Sequence, residues 1–346
     1  MQDRQRGFFD FEKHEEVSAR FKNPLSQLDE IINWEAFLPI LEKGLAKERK
    51  GFGGRPAYDH MLMFKIVILQ THYNLSDDQT EYQIYDRSSF RKFLGLEIGE
   101  KVPDAKTIWL FRDNLAKQGI VAELFEQFEQ QLREQGYKAQ KGQILDASII
   151  PVPKQRNRKE ENEQIKAGQV PEAWQEQANK LEQKDTEARW TQKNGVNHYG
   201  YKNHISTDVK YKLIREYEVT DASVHDSQVV ADILDTENSN ADVYADSAYR
   251  SAAQEEEFKQ KGYRSKVNHK GKRNKPLSEF KKQVNKRRSQ VRARVEHVFG
   301  HQATAMGGEL MRVIGMVRAK AQIGLRNLVY NMHRFVFLCK RNPAIT

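Results

Sequence analysis

Apolar positions in the first third of the chain recur at spacings of three and four. Met61, Phe64, Ile68 and Leu69 form one such set and Ile120, Leu124 and Phe128 another, which is the pattern of helices that bury one face. The pattern predicts helices throughout residues 38–133. The punctuation agrees, with Gly53-Gly54-Arg55-Pro56 ahead of one helix and Leu75-Ser76-Asp77 supplying an N-cap for the next. The period changes at 143–150, a short apolar run rich in β-branched residues between Gly142 and Pro151, which predicts a buried strand. Residues 154–193 are rich in Gln, Glu and Lys, with Trp174 and Trp190 as the main apolar exceptions, and read as an insertion, partly helical or disordered. Strand character returns at 199–207 and 213–220, joined by a turn over 208–211, and again at 242–246. A helix capped by Ser223 or Asp226 is predicted between them, over Val229, Val230, Ile233 and Leu234. Helical pattern resumes over 277–301, where Val291, Val295 and Val298 share a face. A last amphipathic helix, from Ala321 to Cys339, should pack on the sheet. The chain thus divides into an all-helical N-terminal domain, 1–140, and an α/β domain, 141–346, carrying the insertion.

Composition narrows the class. Hydrophobic residues make up 38% and charged ones 30%, with a mean hydropathy of −0.81, and the most apolar run, 61–69, is short and contains Lys65. A membrane span is therefore not expected, and an N-terminus without an apolar stretch and cleavage site predicts a cytoplasmic protein. The single cysteine, Cys339, excludes an internal disulfide, and the ten histidines show no zinc-like spacing. Net charge is +9, and its distribution matters more than its size. Residues 261–300 hold fourteen Lys and Arg against Glu279 and Glu296, a local +12 that leaves the remainder of the chain at −3. Such a block is either a solvated basic face or the footprint of a polyanion.

Three carboxylates call for a chemical account. Asp146 sits among Ile144, Leu145, Ile149 and Ile150, where an ionised side chain is costly unless something pairs with it. Capping the turn before Pro151 is the simpler role. Asp246 repeats the situation at the end of a second strand, and strand ends are where α/β sheets present ligand groups. Glu296 falls beside the Val291, Val295 and Val298 face, where an ion pair with Arg292 four residues earlier is the ordinary explanation.

The segments Ile144-Leu145-Asp146-Ala147, Tyr244-Ala245-Asp246-Ser247-Ala248-Tyr249 and Arg292-Ala293-Arg294-Val295-Glu296-His297-Val298-Phe299 resemble the motifs of bacterial insertion-sequence DDE transposases of the insertion-sequence-five group. Gly200-Tyr201-Lys202-Asn203-His204-Ile205, His225-Asp226 and the tail from Arg318 to Asn331 match as well, so the resemblance runs along nearly the whole chain. It implies an RNase H-like mixed sheet flanked by helices, with Asp146 on the first strand, Asp246 after the fourth and Glu296 on a later helix. It implies a helical N-terminal domain for DNA-end binding and assembly, with Arg55, Lys106 and Arg112 in its matching segments. Where the wider family often has a Tyr and a Lys flanking the Glu, this chain has Ser289 and Ala303, and Arg288, His301 or Lys286 are the nearest replacements.

The implied activity is cleavage of terminal inverted repeats and their joining to target DNA. Two Mg²⁺ ions, or Mn²⁺ in their place, would be held by Asp146, Asp246 and Glu296. Arg292 is the first candidate for the scissile phosphate, since a continuous helix would set it on the same face as Glu296. Arg288, Arg294 and Lys286 join it on the basic block. Lys202 and His204 are secondary DNA-contact candidates, with an exposed lysine and a satisfied core histidine as the plainer readings. His225-Asp226 reads as a helix cap at least as readily as a catalytic pair, and Trp109 as a core residue before a base-stacking one. A homodimer is expected because two DNA ends must meet, and a nucleoid location follows from the partner. A structure-specific nuclease that never joins, and a non-catalytic DNA-binding descendant, are the competing readings.

Overall fold

The computed structural model describes residues 17, 23–46, 57–97, 99–271, 276–308 and 310–341. Among the described residues, the helices ahead of the sheet include α1 (Pro24–Ile31), α2 (Leu38–Leu45), α3 (His60–Tyr73), α4 (Asp77–Asp86), α5 (Ser88–Leu94), α6 (Ala105–Lys117) and α7 (Ile120–Glu134). Polar caps start four of them. Asn23, Asp59, Ser76 and Asp104 each accept a hydrogen bond from a first-turn N–H, so donors that the helix itself leaves unpaired are satisfied. Helix α3 buries every residue from Ile66 to Gln70, the signature of a helix surrounded by others.

Strand β1 (Gln143–Pro151) opens the sheet, and three short helices follow, α8 (Lys159–Lys166), α9 (Glu172–Gln175) and α10 (Ala178–Glu182). The region read as an insertion also contains a strand the pattern did not reveal, β2 (Arg189–Lys193). It pairs with the start of β3 (Val196–Asp208) across Asn194-Gly195, whose φ values of 53° and 78° suit a tight hairpin turn. Strand β4 (Ile214–Asp221), helix α11 (Val230–Ile233), β5 (Asp242–Tyr244), α12 (Ala252–Gln260) and β6 (Arg264–Ser265) complete the α/β part.

Ladders run β4-β3-β1-β5-β6 in space. The first three strands are antiparallel and the last two parallel to β1. A mixed sheet in this order is the RNase H-like arrangement. Its two faces are separately covered. One large core joins the N-terminal helices to Ile144, Ile205, Val295, Val298 and the long C-terminal helix α15 (Met316–Arg341), and a second gathers Leu145, Val243, Ala245, Tyr249 and Phe258 on the other side. A buried cluster links helices to sheet. Arg215 on β4 pairs with Glu129 of α7 at 2.6 Å and with Asp208 at 3.0 Å, and donates to the Tyr137 carbonyl at 2.8 Å. Removing one member of such a cluster strands a buried charge.

The helix expected over 277–301 is in fact two. Helix α13 (Glu279–Arg292) stops, a turn covers 293–295, and α14 (Glu296–Thr304) starts afresh. Arg294 donates to the Val209 carbonyl at 2.8 Å and Val295 is fully buried, so tertiary contacts hold the turn open.

Candidate active site

Asp146 and Asp246 meet because of strand register. Strands β1 and β5 run parallel with Ile144 opposite Tyr244, and two residues further along each chain stand Asp146 and Asp246. Side chains alternate across a strand. Ile144 belongs to the core on the helical side and Tyr244 packs against it, whereas Leu145, Val243 and Ala245 belong to the opposite core. Both aspartates therefore project on the helical side, at the carboxyl ends of neighbouring parallel strands.

Each carboxylate is oriented by a backbone donor: the Ala147 N–H donates to Asp146 Oδ1 at 2.9 Å and the Ala248 N–H to Asp246 Oδ1 at 2.7 Å. Burial pushes the Asp146 carboxyl above the usual aspartate range. The Ala147 N–H and the Arg292 guanidinium pull it back, and the Asp246 charge pushes it up again. Arg292, at the last turn of α13, stands 3.8 Å from Asp246 Oδ2. Two crowded carboxylates with all-oxygen donors and a half-buried position suit a hard divalent cation, whose charge would relieve both burial and repulsion.

The remaining residues singled out from sequence fall into groups. Glu296 lies exposed in the first turn of α14, and among the described residues no three His, Cys, Asp or Glu side chains are grouped to hold a metal. The helix break also corrects the expectation that Arg292 and Glu296 share a helix face. Lys202 and His204 are opposite Ile149 and Ala147 in the β1 ladder, so they point to the other side of the sheet from Asp146. Lys202 bonds Asp226 Oδ1 at 2.9 Å and the Val224 carbonyl at 2.6 Å. His204 is wholly buried beside Thr220 Oγ1 at 2.9 Å, with burial lowering its pKa to about 4. The core-histidine reading replaces the DNA contact. His225 Nδ1 accepts from the Ser227 N–H, the capping role.

On the basic block, Lys286 is exposed, Arg288 donates to the Val267 carbonyl at 2.5 Å, and His301 is bonded to His333. Helix α13 buries none of its residues and carries six Lys and Arg against Glu279, with Phe280 74% exposed near its start. Arg112 is engaged by Asp77 and Gln70, Lys106 is exposed, and Arg55 lies outside the described residues. Trp109, expected in the core, is 43% exposed.

One residue of the motif from Tyr244 to Tyr249 had no role of its own in the sequence. Tyr249 is buried, and its hydroxyl has no hydrogen-bond partner among the described residues. Burial, then the charges of Asp226, Asp146 and Asp246, raise its pKa far above the tyrosine range. Its only signal was its place three residues after Asp246.

Paired carboxylates at strand ends, with an arginine leaning in and a basic helix alongside, have the chemistry that phosphate esters in a polyanion require. Residues 137–332, more than half of the chain, match the family model of the transposase DDE domain, and residues 12–114 match a second model described as a transposase domain. The chain belongs to the DDE transposases, metal-dependent enzymes that cut and join DNA strands. A cryo-EM structure of a piggyBac transposase synaptic complex with hairpin DNA is similar over 95% of this chain and 77% of its own, at 10% identity and a TM-score of 0.46, too loosely to carry an argument. No helix among the described residues is long and apolar enough to cross a membrane.

Proposed function

We propose that this transposase belongs to the insertion-sequence-five group, binds the terminal inverted repeats of its own element, cleaves the ends and joins them to target DNA, with Asp146, Asp246 and Glu296 as catalytic carboxylates. The observation that carries the reading is that parallel register brings Asp146 on β1 level with Asp246 just past the end of β5, with Arg292 3.8 Å from Asp246. Mg²⁺, with Mn²⁺ as substitute, would be held by these carboxylates and would activate the attacking oxygen and neutralise the departing one. Arg292 orients the scissile phosphate, since its guanidinium stands at the aspartate pair. Exposed Lys281, Lys282, Lys286 and Arg287 on α13 grip the flanking backbone, which offsets the repulsion between an acidic site and a polyanion. Lys202 fixes Asp226 and the turn before α11 rather than touching substrate. The helical N-terminal part serves assembly, two copies act together, and the partner places the protein at the nucleoid.

A labelled terminal-repeat duplex with Mg²⁺ tests the reading. The native chain is expected to yield strand-transfer products, and Asp146→Asn and Asp246→Asn to lose cutting and joining to background while still binding the duplex. Cut ends without joined products would assign a nuclease instead, and joining by Asp146→Asn at the native rate would overturn the site.

A further inference from the structure

Strand β4 is separated from β1 and its aspartate by β3, and among the described residues it pairs with β3 alone. The Ala222 N–H donates to the Gly200 carbonyl at 3.1 Å, and Tyr201 stands opposite Asp221. Antiparallel alternation then turns the backbone groups of Glu216, Glu218 and Thr220 toward β3 and those of Tyr217 and Val219 outward. At Ile214 the outward groups are satisfied by a side-chain amide. Asn331 Oδ1 accepts from the Ile214 N–H at 2.9 Å and Asn331 Nδ2 donates to the Ile214 carbonyl at 2.7 Å. The outward backbone groups of Tyr217 and Val219 have no such partner among the described residues, and an unpaired strand edge is a template for another chain.

A cavity of about 490 Å³ stands against this part of the edge, walled by residues 216–219, by the corner between α6 and α7, and by the start of α15. Its two sides differ in chemistry. Tyr217 packs on Phe125 at 4.8 Å, so the face of β4 that carries Tyr217 and Val219 looks on Val121, Phe125, Val317 and Ala321, of which Val317 is 54% exposed. Glu216 and Glu218 alternate to the other face. Lys320 is taken by Glu218 and Lys117 by Asp113, each at 2.7 Å. That leaves Glu126 and Glu216 on the cavity without an ion-pair partner among the described residues. An occupant that satisfies the whole place is extended, to pair with the edge, apolar at alternate positions, to fill the cavity, and basic at the positions between. The carboxylates repel a phosphate backbone, so this is a different partner from the one that the basic helix α13 faces. We propose that the outer edge of β4 is a docking site for an extended basic segment of a partner protein, which adds a strand to the sheet and sets its apolar side chains between α7 and α15.

Fluorescence anisotropy of the full chain with a short labelled peptide that alternates valine and lysine tests it. Saturable binding is expected even though the net charge of +9 repels such a peptide elsewhere, and the same peptide with glutamate in place of lysine is expected not to bind. N-methylation removes amide donors, and alternate residues of a strand face opposite edges. Methylating one alternate set is therefore expected to cost about tenfold or more in affinity, and methylating the other less than about twofold. Ala122→Trp, an exposed change on the cavity wall, is expected to abolish binding with circular dichroism and Mn²⁺ binding unchanged. Should that variant fail to fold, Glu126→Lys, also exposed, is expected to weaken the peptide by about threefold or more. No binding to the native chain, equal binding of the glutamate peptide, equal loss from the two methylated sets, or unchanged affinity in either folded variant overturns the proposal.

Discussion

Asp146 is a poor residue for stability and a good one for a cation. Its carboxyl is pushed upward by burial and by Asp246, so the unfolded chain releases that proton near the ordinary value of about 3.9 while the folded chain holds it to higher pH. As pH rises through this window the unfolded state loses its proton first and stability falls. Above this window the folded chain carries the full cost. Asp146→Asn is therefore expected to raise the melting temperature in metal-free buffer by about 1–3 °C, the order expected for roughly 1 kcal/mol in a chain of this size. Added Mn²⁺ should stabilise the native protein and leave the variant unmoved, because only a state that binds the ion gains from it. A lower melting temperature for Asp146→Asn in chelator would show that the carboxylate is a structural cap after all.

At the level of elements, the turn over 293–295 governs where Glu296 stands. Continued as one helix, α13 would carry Glu296 a single turn past Arg292, which already leans on Asp246. Broken there, Glu296 instead sits exposed at the start of α14. Glu296→Gln is thus expected to change Mn²⁺ affinity of the free chain by less than about twofold, against a loss of about tenfold or more for Asp246→Asn. With terminal DNA bound, both variants should weaken the ion. Equal loss for the two variants in the free chain would mean the three carboxylates are already assembled. The break was invisible in Ala293-Arg294-Val295 because nothing there is a breaker; it comes from the Arg294 bond to the Val209 carbonyl and the burial of Val295, contacts distant in sequence. The same reasoning separates the strands. β1, β3, β4 and β5 were legible from apolar runs, and with them the aspartate pair, but Arg189–Lys193 lacks an apolar period and only Asn194-Gly195 hinted at its hairpin. The motif around His204 and Lys202 left both a DNA contact and a core role open, because a strand's register, not its motif, decides which face a side chain takes.

Across the whole molecule, three histidines join parts of the chain that are far apart in sequence. His72 of α3, His301 of α14 and His333 of α15 converge, with His301 Nε2 3.1 Å from His333 Nδ1 and the His72 and His333 rings edge to face at 4.3 Å. Buried His72 Nδ1 and His333 Nε2 have no hydrogen-bond partner among the described residues. Burial lowers the pKa of all three, that of His72 to about 4, and each ring's charge would further oppose its neighbour's; Arg334 disfavours charge on His301, while Tyr73 and Tyr330 pack against the group. In the window from about 6.5 down to 4 the unfolded chain takes up protons that the folded chain refuses, so stability is present above that window and is lost as pH falls through it. Each ring contributes a slope of roughly 1.4 kcal/mol per pH unit while it titrates. Glu216, pushed up to about 7 by burial, acts with the opposite sign over the same range, so the informative quantity is a difference between proteins. Urea midpoints of the native chain and of His333→Gln, measured at pH 4.5, 5.5 and 6.5, are expected to converge as the medium becomes acidic, because the variant has one fewer proton to refuse. Parallel midpoints would mean that water reaches the rings and that the junction of α3, α14 and α15 is already open at neutral pH.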